Sequence, residues 1–249
     1  MATDTSHALI SLVTKLELWA RFSDAEKAAV LALPHRIERL DAGKYIVRDG
    51  DEALSSCLLM SGFAMRHKIL SDGARSICAV HMKGDMVDLQ NSLLSRADHN
   101  VQTLTPADVA FVPRDAVKAL AFDSPQVGMA LWYDTLVDGS MFREWMANIA
   151  RRDGAARIAH LLCEFGLRLE FAGLGARTSY EIPMSQEQLG DASGMTPVHV
   201  SRMLKELEHR GLIRRTVRSV AIEDWDRLTD AGDFDPAYLH LKQMASLIH

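Results

Sequence analysis

Five glycines frame the first half of this chain. Gly43, Gly50, Gly62, Gly73 and Gly84 recur at intervals of 7, 12, 11 and 11 residues, and the stretch from His35 to Pro113 holds short β-prone runs, KYIV, CLLM, SICAV and VAFV. Glycine enters a tight turn without the Cβ clash that other residues suffer, so each interval reads as a strand and a reversal. Many short antiparallel strands leave raw edges unless the sheet curls on itself, and curling removes the unpaired backbone groups that recruit other chains. The pattern predicts a double-stranded β-roll of jelly-roll or cupin-like shape within residues 1–123. Two short helical pieces precede it, the second opening at Ser23 and Asp24 before AEKAAVLAL and stopped by Pro34.

No proline occurs between Pro125 and Pro183, and QVGMALWYDTLVDGSMFREWMANIARRD places Met129, Trp132, Leu136, Gly139, Phe142, Met146 and Ile149 at intervals of three or four. This predicts one long amphipathic helix over 124–150. At ~25 residues it spans on the order of 37 Å, more than a small roll needs. Leu131, Val137, Met141 and Trp145 widen its apolar side. Part of that surface is expected to meet a second copy across a symmetry axis. Gly139 lowers helix propensity by ~1 kcal/mol and marks either a close helix approach or a local break. A second helix is expected over AARIAHLLCEFGLRLEF, followed by the linker AGLGARTS; residues 151–249 then form a further domain, giving an α+β chain.

Within that last domain, MSQEQLGDASGM sets Ser185 and Gln188 at capping-box spacing. Gly194 offers a left-handed residue for a sharp turn, Thr196 a cap, and Pro197 a first helical position whose missing N–H is harmless. Two helices joined by such a turn make a helix-turn-helix. In TPVHVSRMLKELEHRGLI, read as a helix over 196–210, Val200, Met203, Leu204 and Leu207 form one apolar stripe. Val198, Arg202, Lys205 and His209 lie opposite. LIRRTVRSVAIED adds two β runs around a polar turn, a wing. The chain carries a net charge of -5, yet Thr196 to Arg218 holds six Lys or Arg against two Glu, a local surplus of four. A basic segment in an acidic protein suggests a focused polyanion site and not indiscriminate coating of nucleic acid or anionic membrane.

The segment QEQLGDASGMTPVHVSRMLKELEHRGLI resembles the winged helix-turn-helix of the Crp/Fnr family of bacterial transcription regulators. AGKYIVRDGD, LLMSGFA, SDG and KGDMV resemble that family's cyclic-nucleotide-binding roll. The resemblance implies a homodimer that binds pseudo-palindromic double-stranded DNA and recruits or blocks RNA polymerase. It places Val198, His199 and Arg202 at base-reading positions, with Arg202 suited to bidentate contact with guanine. It places Ser185, Gln186, Thr196, Lys205 and, on the wing, Arg218 at the DNA backbone. Pro197 and Val198 stand where the family often has a charged or polar pair, so a thymine methyl is one target for Val198.

In cyclic-AMP-binding members a Gly-Glu pair and a later Arg-Ser or Arg-Thr pair hold the nucleotide. In that register this chain has Asp88 and Leu89, then His99 and Asn100, with Arg96 as a substitute only if the loop shifts. A phosphate would lose its guanidinium and meet a carboxylate, which argues against a cyclic nucleotide. The first 56 residues hold no cysteine, which argues against an iron-sulfur cluster, and isolated histidines are weak support for haem. No cofactor is expected. A cupin-like metal enzyme would need closely spaced histidines, whereas His67, His81 and His99 are scattered and no H-x-H occurs. A protein-interaction module is the other competing class, separable by the salt dependence of DNA binding. Cys57, Cys78 and Cys163 form no CxxC pair, and no signal-like or ~18-residue apolar run appears. These features point to a cytoplasmic protein with no membrane partner.

Overall fold

The computed structural model describes residues 8–216 and 219–241. Two helices come first, α1 (Ile10–Leu16) and α2 (Asp24–Leu31), the second closed by a capping box between Ser23 and Glu26. Seven strands follow: β1 (Arg36–Leu40), β2 (Tyr45–Val47), β3 (Ser55–Leu59), β4 (Ala64–Ile69), β5 (Arg75–His81), β6 (Asn100–Thr103) and β7 (Ala107–Pro113). They make two sheets of orders β1-β7-β3 and β2-β6-β4-β5, and the β1–β7 and β3–β7 pairs are antiparallel, with Ala110 opposite both Ile37 and Leu58.

Strand β7 shows why VAFV has no polar alternation. Val109 and Phe111 enter the cluster between the sheets with Leu59, Val87 and Val101. Ala110 and Val112 enter a second cluster with Leu9, Leu12 and Leu16 of the N-terminal helix region and with Val117, Val127 and Leu131. Successive residues point to opposite faces, so a strand covered on both faces becomes a continuous apolar run. All five framing glycines have positive φ. At Gly62 the reason extends beyond φ: an added Cβ would lie 2.4 Å from the Pro106 carbonyl oxygen.

Helix α3 (Arg114–Asp123) leads into α4 (Pro125–Arg151), which runs unbroken through Gly139 and so resolves the question left by the sequence. Then come α5 (Gly154–Phe171), β8 (Ser179–Glu181), α6 (Gln186–Ser193), α7 (Pro197–His209), β9 (Ile213–Arg215), β10 (Ser219–Ile222) and α8 (Trp225–Ala231). The wing is a three-stranded sheet of order β8-β10-β9. Its first strand, which begins at Ser179, the last residue of the segment read as a linker, was not legible. The chain divides into two compact units, one from residues 1–68, 79–140 and 240–249, the other from 69–78 and 141–239.

In the second unit α5 is buried around most of its circumference and packs against α7 and α8. The buried Glu164 accepts hydrogen bonds from Trp145 Nε1 (2.9 Å) and the Tyr238 hydroxyl (2.7 Å). Tyr238 is also within 3.2 Å of His160 Nε2. Tyr180 donates to the Leu162 carbonyl at 2.6 Å, tying the wing sheet to α5.

Candidate nucleic-acid interface

The local rules at the α6–α7 corner are satisfied as the sequence predicts. Ser185 Oγ accepts from the Gln188 amide at 3.2 Å while the Gln188 side chain accepts from the Ser185 amide at 2.8 Å. Gly194 ends α6 at φ 66, Thr196 Oγ1 accepts from the His199 amide at 3.3 Å, and Pro197 opens α7. Gly190 lets the turn close, since a Cβ there would sit 2.4 Å from the Met195 carbonyl oxygen. Val200, Leu204 and Leu207 are buried, fixing which side of α7 faces away.

On that outer side Val198 is 76% exposed, and Arg202, Lys205 and His209 are exposed with it. Pro197, Val198, Ser201, Arg202, Lys205 and, from α6, Gln186 line a shallow depression. Ser185 and Thr196 are exposed at the two helix starts, where unpaired backbone amides and the helix dipole favour phosphate. His199 differs: it is half-buried, its Nε2 2.9 Å from where a Cβ on Gly154 would stand, beside the sulfurs of Met203 and Met195. Arg218 lies outside the described residues.

Of the six cations along 196–218, three pair with carboxylates among the described residues: two with the glutamates already subtracted in that count and one with Glu223 from outside it, so the surplus falls from four to three. Arg215 Nη2 pairs with Glu208 at 2.8 Å, Arg214 Nε with Glu223 at 2.8 Å, and Arg210 Nη1 with Glu206 at 3.9 Å. The hydrogen bond from Arg215 holds the Glu208 carboxyl below its ordinary value. Arg202 and Lys205 form no ion pair among the described residues.

The roll residues singled out in the sequence do not form one anion-binding group. Asp88 is fully buried and accepts from the Cys57 amide at 2.6 Å. Burial raises its carboxyl to about 6, against the pull of the Cys57 amide, Asn91 and Arg66. Leu89 is buried in the apolar cluster under the N-terminal helices. His99 sits between Asp98 (2.7 Å) and Gln90 (3.3 Å), and burial, partly offset by Asp98, lowers its pKa. Asn100 accepts from the Asp49 amide at 3.1 Å, and exposed Arg96 donates to the Gly50 carbonyl at 2.9 Å. Sequence reasoning missed Arg66, whose guanidinium donates to Asp138 of α4 at 2.6 Å and to the Val87 carbonyl at 2.8 Å. Burial alone would raise Asp138, but Arg66 keeps it below its ordinary value. One arginine inside a β run and one aspartate inside an apolar helix offered no signal that they meet.

Along α4 the stripe splits as its two parts suggest. Met129, Trp132, Leu136, Phe142 and Met146 are 46–61% exposed, whereas Leu131, Val137 and Trp145 are buried; Gly139 and Ile149 are half-buried. Among the described residues no His, Cys, Asp and Glu converge as a metal-holding group, and no helix is long and apolar enough to cross a membrane.

Comparison with known proteins agrees with this geometry. Residues 156–231 match the model of a Crp-like helix-turn-helix domain, and residues 37–124 that of a cyclic nucleotide-binding domain. The chain is 24% identical over 196 residues to a probable transcriptional activator of Rhizobium leguminosarum, spanning 78% of this chain and 80% of that protein. It is 25% identical over 215 residues to the transcriptional activator FnrL of Cereibacter sphaeroides, spanning 84% and 86%. Its fold is similar to that of FixK2 from Bradyrhizobium japonicum, with a TM-score of 0.74 at 24% identity over 80% of this chain and 98% of the other. It is also similar to a CooA variant from Carboxydothermus hydrogenoformans, with a TM-score of 0.67 at 14% identity over 93% and 97%.

Proposed function

Because the chain belongs to the Crp/Fnr family of DNA-binding transcription regulators, we propose that two copies join along the exposed stripe of α4 and set one α7 each into consecutive major grooves of a pseudo-palindromic promoter site. The observation that carries this is the outward face of α7, where Val198 and Arg202 stand exposed and no carboxylate among the described residues pairs with Arg202. Arg202 reads guanine O6 and N7, and Val198 meets a thymine methyl. His199, turned in part toward Gly154, has the smaller share of base reading. Ser185, Gln186, Thr196 and Lys205 hold phosphates that fix the register.

Exposed Trp132, Leu136 and Met146 support the dimer, since a stripe of large apolar residues along a long helix is covered in most stable proteins. The half-site centres then lie about 34 Å apart, and the bound dimer recruits or blocks RNA polymerase in the cytoplasm, where promoter DNA is. The roll works without a cyclic nucleotide or other cofactor. Supporting this, Arg96 is engaged on an outer turn and a buried carboxylate stands at Asp88.

Selection of bound sequences from random duplex DNA tests the proposal. The expected product is a two-fold symmetric site with half-sites 10–10.5 base pairs apart. Arg202→Ala is expected to lose about 1–3 kcal/mol of discrimination at one base pair of each half-site. A protein that stays monomeric and selects no sequence at low salt would refute it.

A further inference from the structure

A cavity of about 150 Å³ lies in the roll, room for roughly five waters at liquid density. Ile46, Val47, Ala97 and Phe111 form apolar walls, while exposed Asp51 and Glu52 stand at its mouth. Asp88 and Asn91 line its buried part, at 0% and 2% exposure. The amide group of Asn91 is half used: its nitrogen donates to Asp88 Oδ2 at 3.4 Å, but its buried Oδ1 accepts nothing. A buried acceptor left unpaired carries a penalty of about 1–3 kcal/mol that a donor brought in from outside would remove.

The lining is chemically one-sided. It offers acceptors, the Asn91 oxygen and three carboxylates, and no lysine, arginine or histidine lines it. Arg66 acts on Asp88 without lining the cavity, so the wall offers an anion no cationic partner and a cation three carboxylates. The carboxylates do not gather into a metal-holding group, so a bare divalent ion does not fit either. We propose that this cavity binds a small organic cation, a protonated primary amine on a short apolar body, whose N–H groups bond Asn91 Oδ1 and the Asp88 carboxylate while its carbons pack on Phe111 and Ile46. Asp51 and Glu52 raise the local concentration of such a cation at the mouth. The assignment is independent of the DNA reading, because it is measured on the protein alone.

The test is calorimetric titration of the full chain with n-butylammonium, n-butanol, butyrate and cyclic AMP, with amide chemical shifts locating the site. Butylammonium is expected to bind with a Kd of about 1 mM or tighter, shifting Cys57, Ala97 and Phe111. Butanol and butyrate should bind at least about tenfold more weakly. Asn91→Leu should weaken the amine about tenfold, and the double variant Asp51→Asn/Glu52→Gln, which changes only exposed side chains, should weaken it roughly two- to fivefold. Comparable binding of butyrate or cyclic AMP in the same cavity overturns the proposal. So does no amine binding at about 10 mM, or affinity unchanged in both variants.

Discussion

Replacing Asp88 by asparagine is expected to stabilise the roll, and to do so more at neutral pH than at mildly acid pH. The Asp88 side chain is fully buried, and burial raises its carboxyl from 3.8 to about 6, the Cys57 amide, Asn91 and Arg66 recovering only part of the loss. Between those two values the folded chain holds a proton that the unfolded chain has released, so stability falls as pH rises from about 4 to 6. At 1.36 kcal/mol per unit, ionised Asp88 destabilises the fold by about 3 kcal/mol above pH 7, and by about half that near pH 5. An asparagine oxygen can still accept the Cys57 amide, so the substitution removes the charge and keeps that bond. Urea unfolding followed by far-ultraviolet circular dichroism measures the effect. With a slope of about 2–3 kcal/mol/M, the sheet's midpoint should rise by about 1 M at pH 7.5 and by roughly half as much at pH 5. An equal gain at both pH values, or a loss that deepens toward neutral pH, would show that Asp88 is not a buried charge with a raised pKa.

Leu136→Glu, at a 56% exposed position in the α4 stripe, should convert a dimer to monomers by light scattering while leaving the helical circular dichroism unchanged. Lys205→Ala should weaken DNA binding uniformly across sequences and reduce the salt slope by about one per half-site, readable by fluorescence anisotropy at several salt concentrations. Gly62→Ala and Gly73→Ala both place a side chain at positive φ, but only the former meets a backbone oxygen at 2.4 Å. Gly62→Ala should therefore be destabilised by clearly more than the ~1 kcal/mol expected of Gly73→Ala, as urea midpoints would report. Burial lowers the His160 pKa below 6.5, against the opposing pull of Glu164, so the unfolded chain takes up that proton first. Stability should fall as pH drops below about 6.5, and His160→Gln should flatten that part of the pH profile.

What could be read from the sequence was whatever is set by neighbours along the chain. The caps at Ser185 and Thr196, the turn at Gly194 and the apolar side of α7 depend on spacings of a few residues, and each is found where the spacing puts it. The run VAFV was legible because both faces of β7 are covered. Strands β1 and β4, RIERL and AMRHKI, were not, since they carry charged residues and are covered incompletely. The pairs made by distant segments were invisible as well. Glu164 joins Trp145 and Tyr238 from opposite sides in sequence, and Arg66 reaches Asp138 across 72 residues. The residue count around α7 gave four extra positive charges because it stopped at Arg218 and so left out Glu223, to which Arg214 folds back; the pair of Arg215 with Glu208 was already balanced in it.

Those neutralised arginines bear on how a reader of this kind searches a chromosome. Affinity for arbitrary duplex grows with each phosphate a free cation can neutralise, and Arg214 and Arg215 are withdrawn from that role by their carboxylate partners. Affinity for arbitrary duplex is therefore expected to be lower than six free cations would give. A lower floor of promiscuous sticking would leave more molecules in solution to reach one operator among very many decoys.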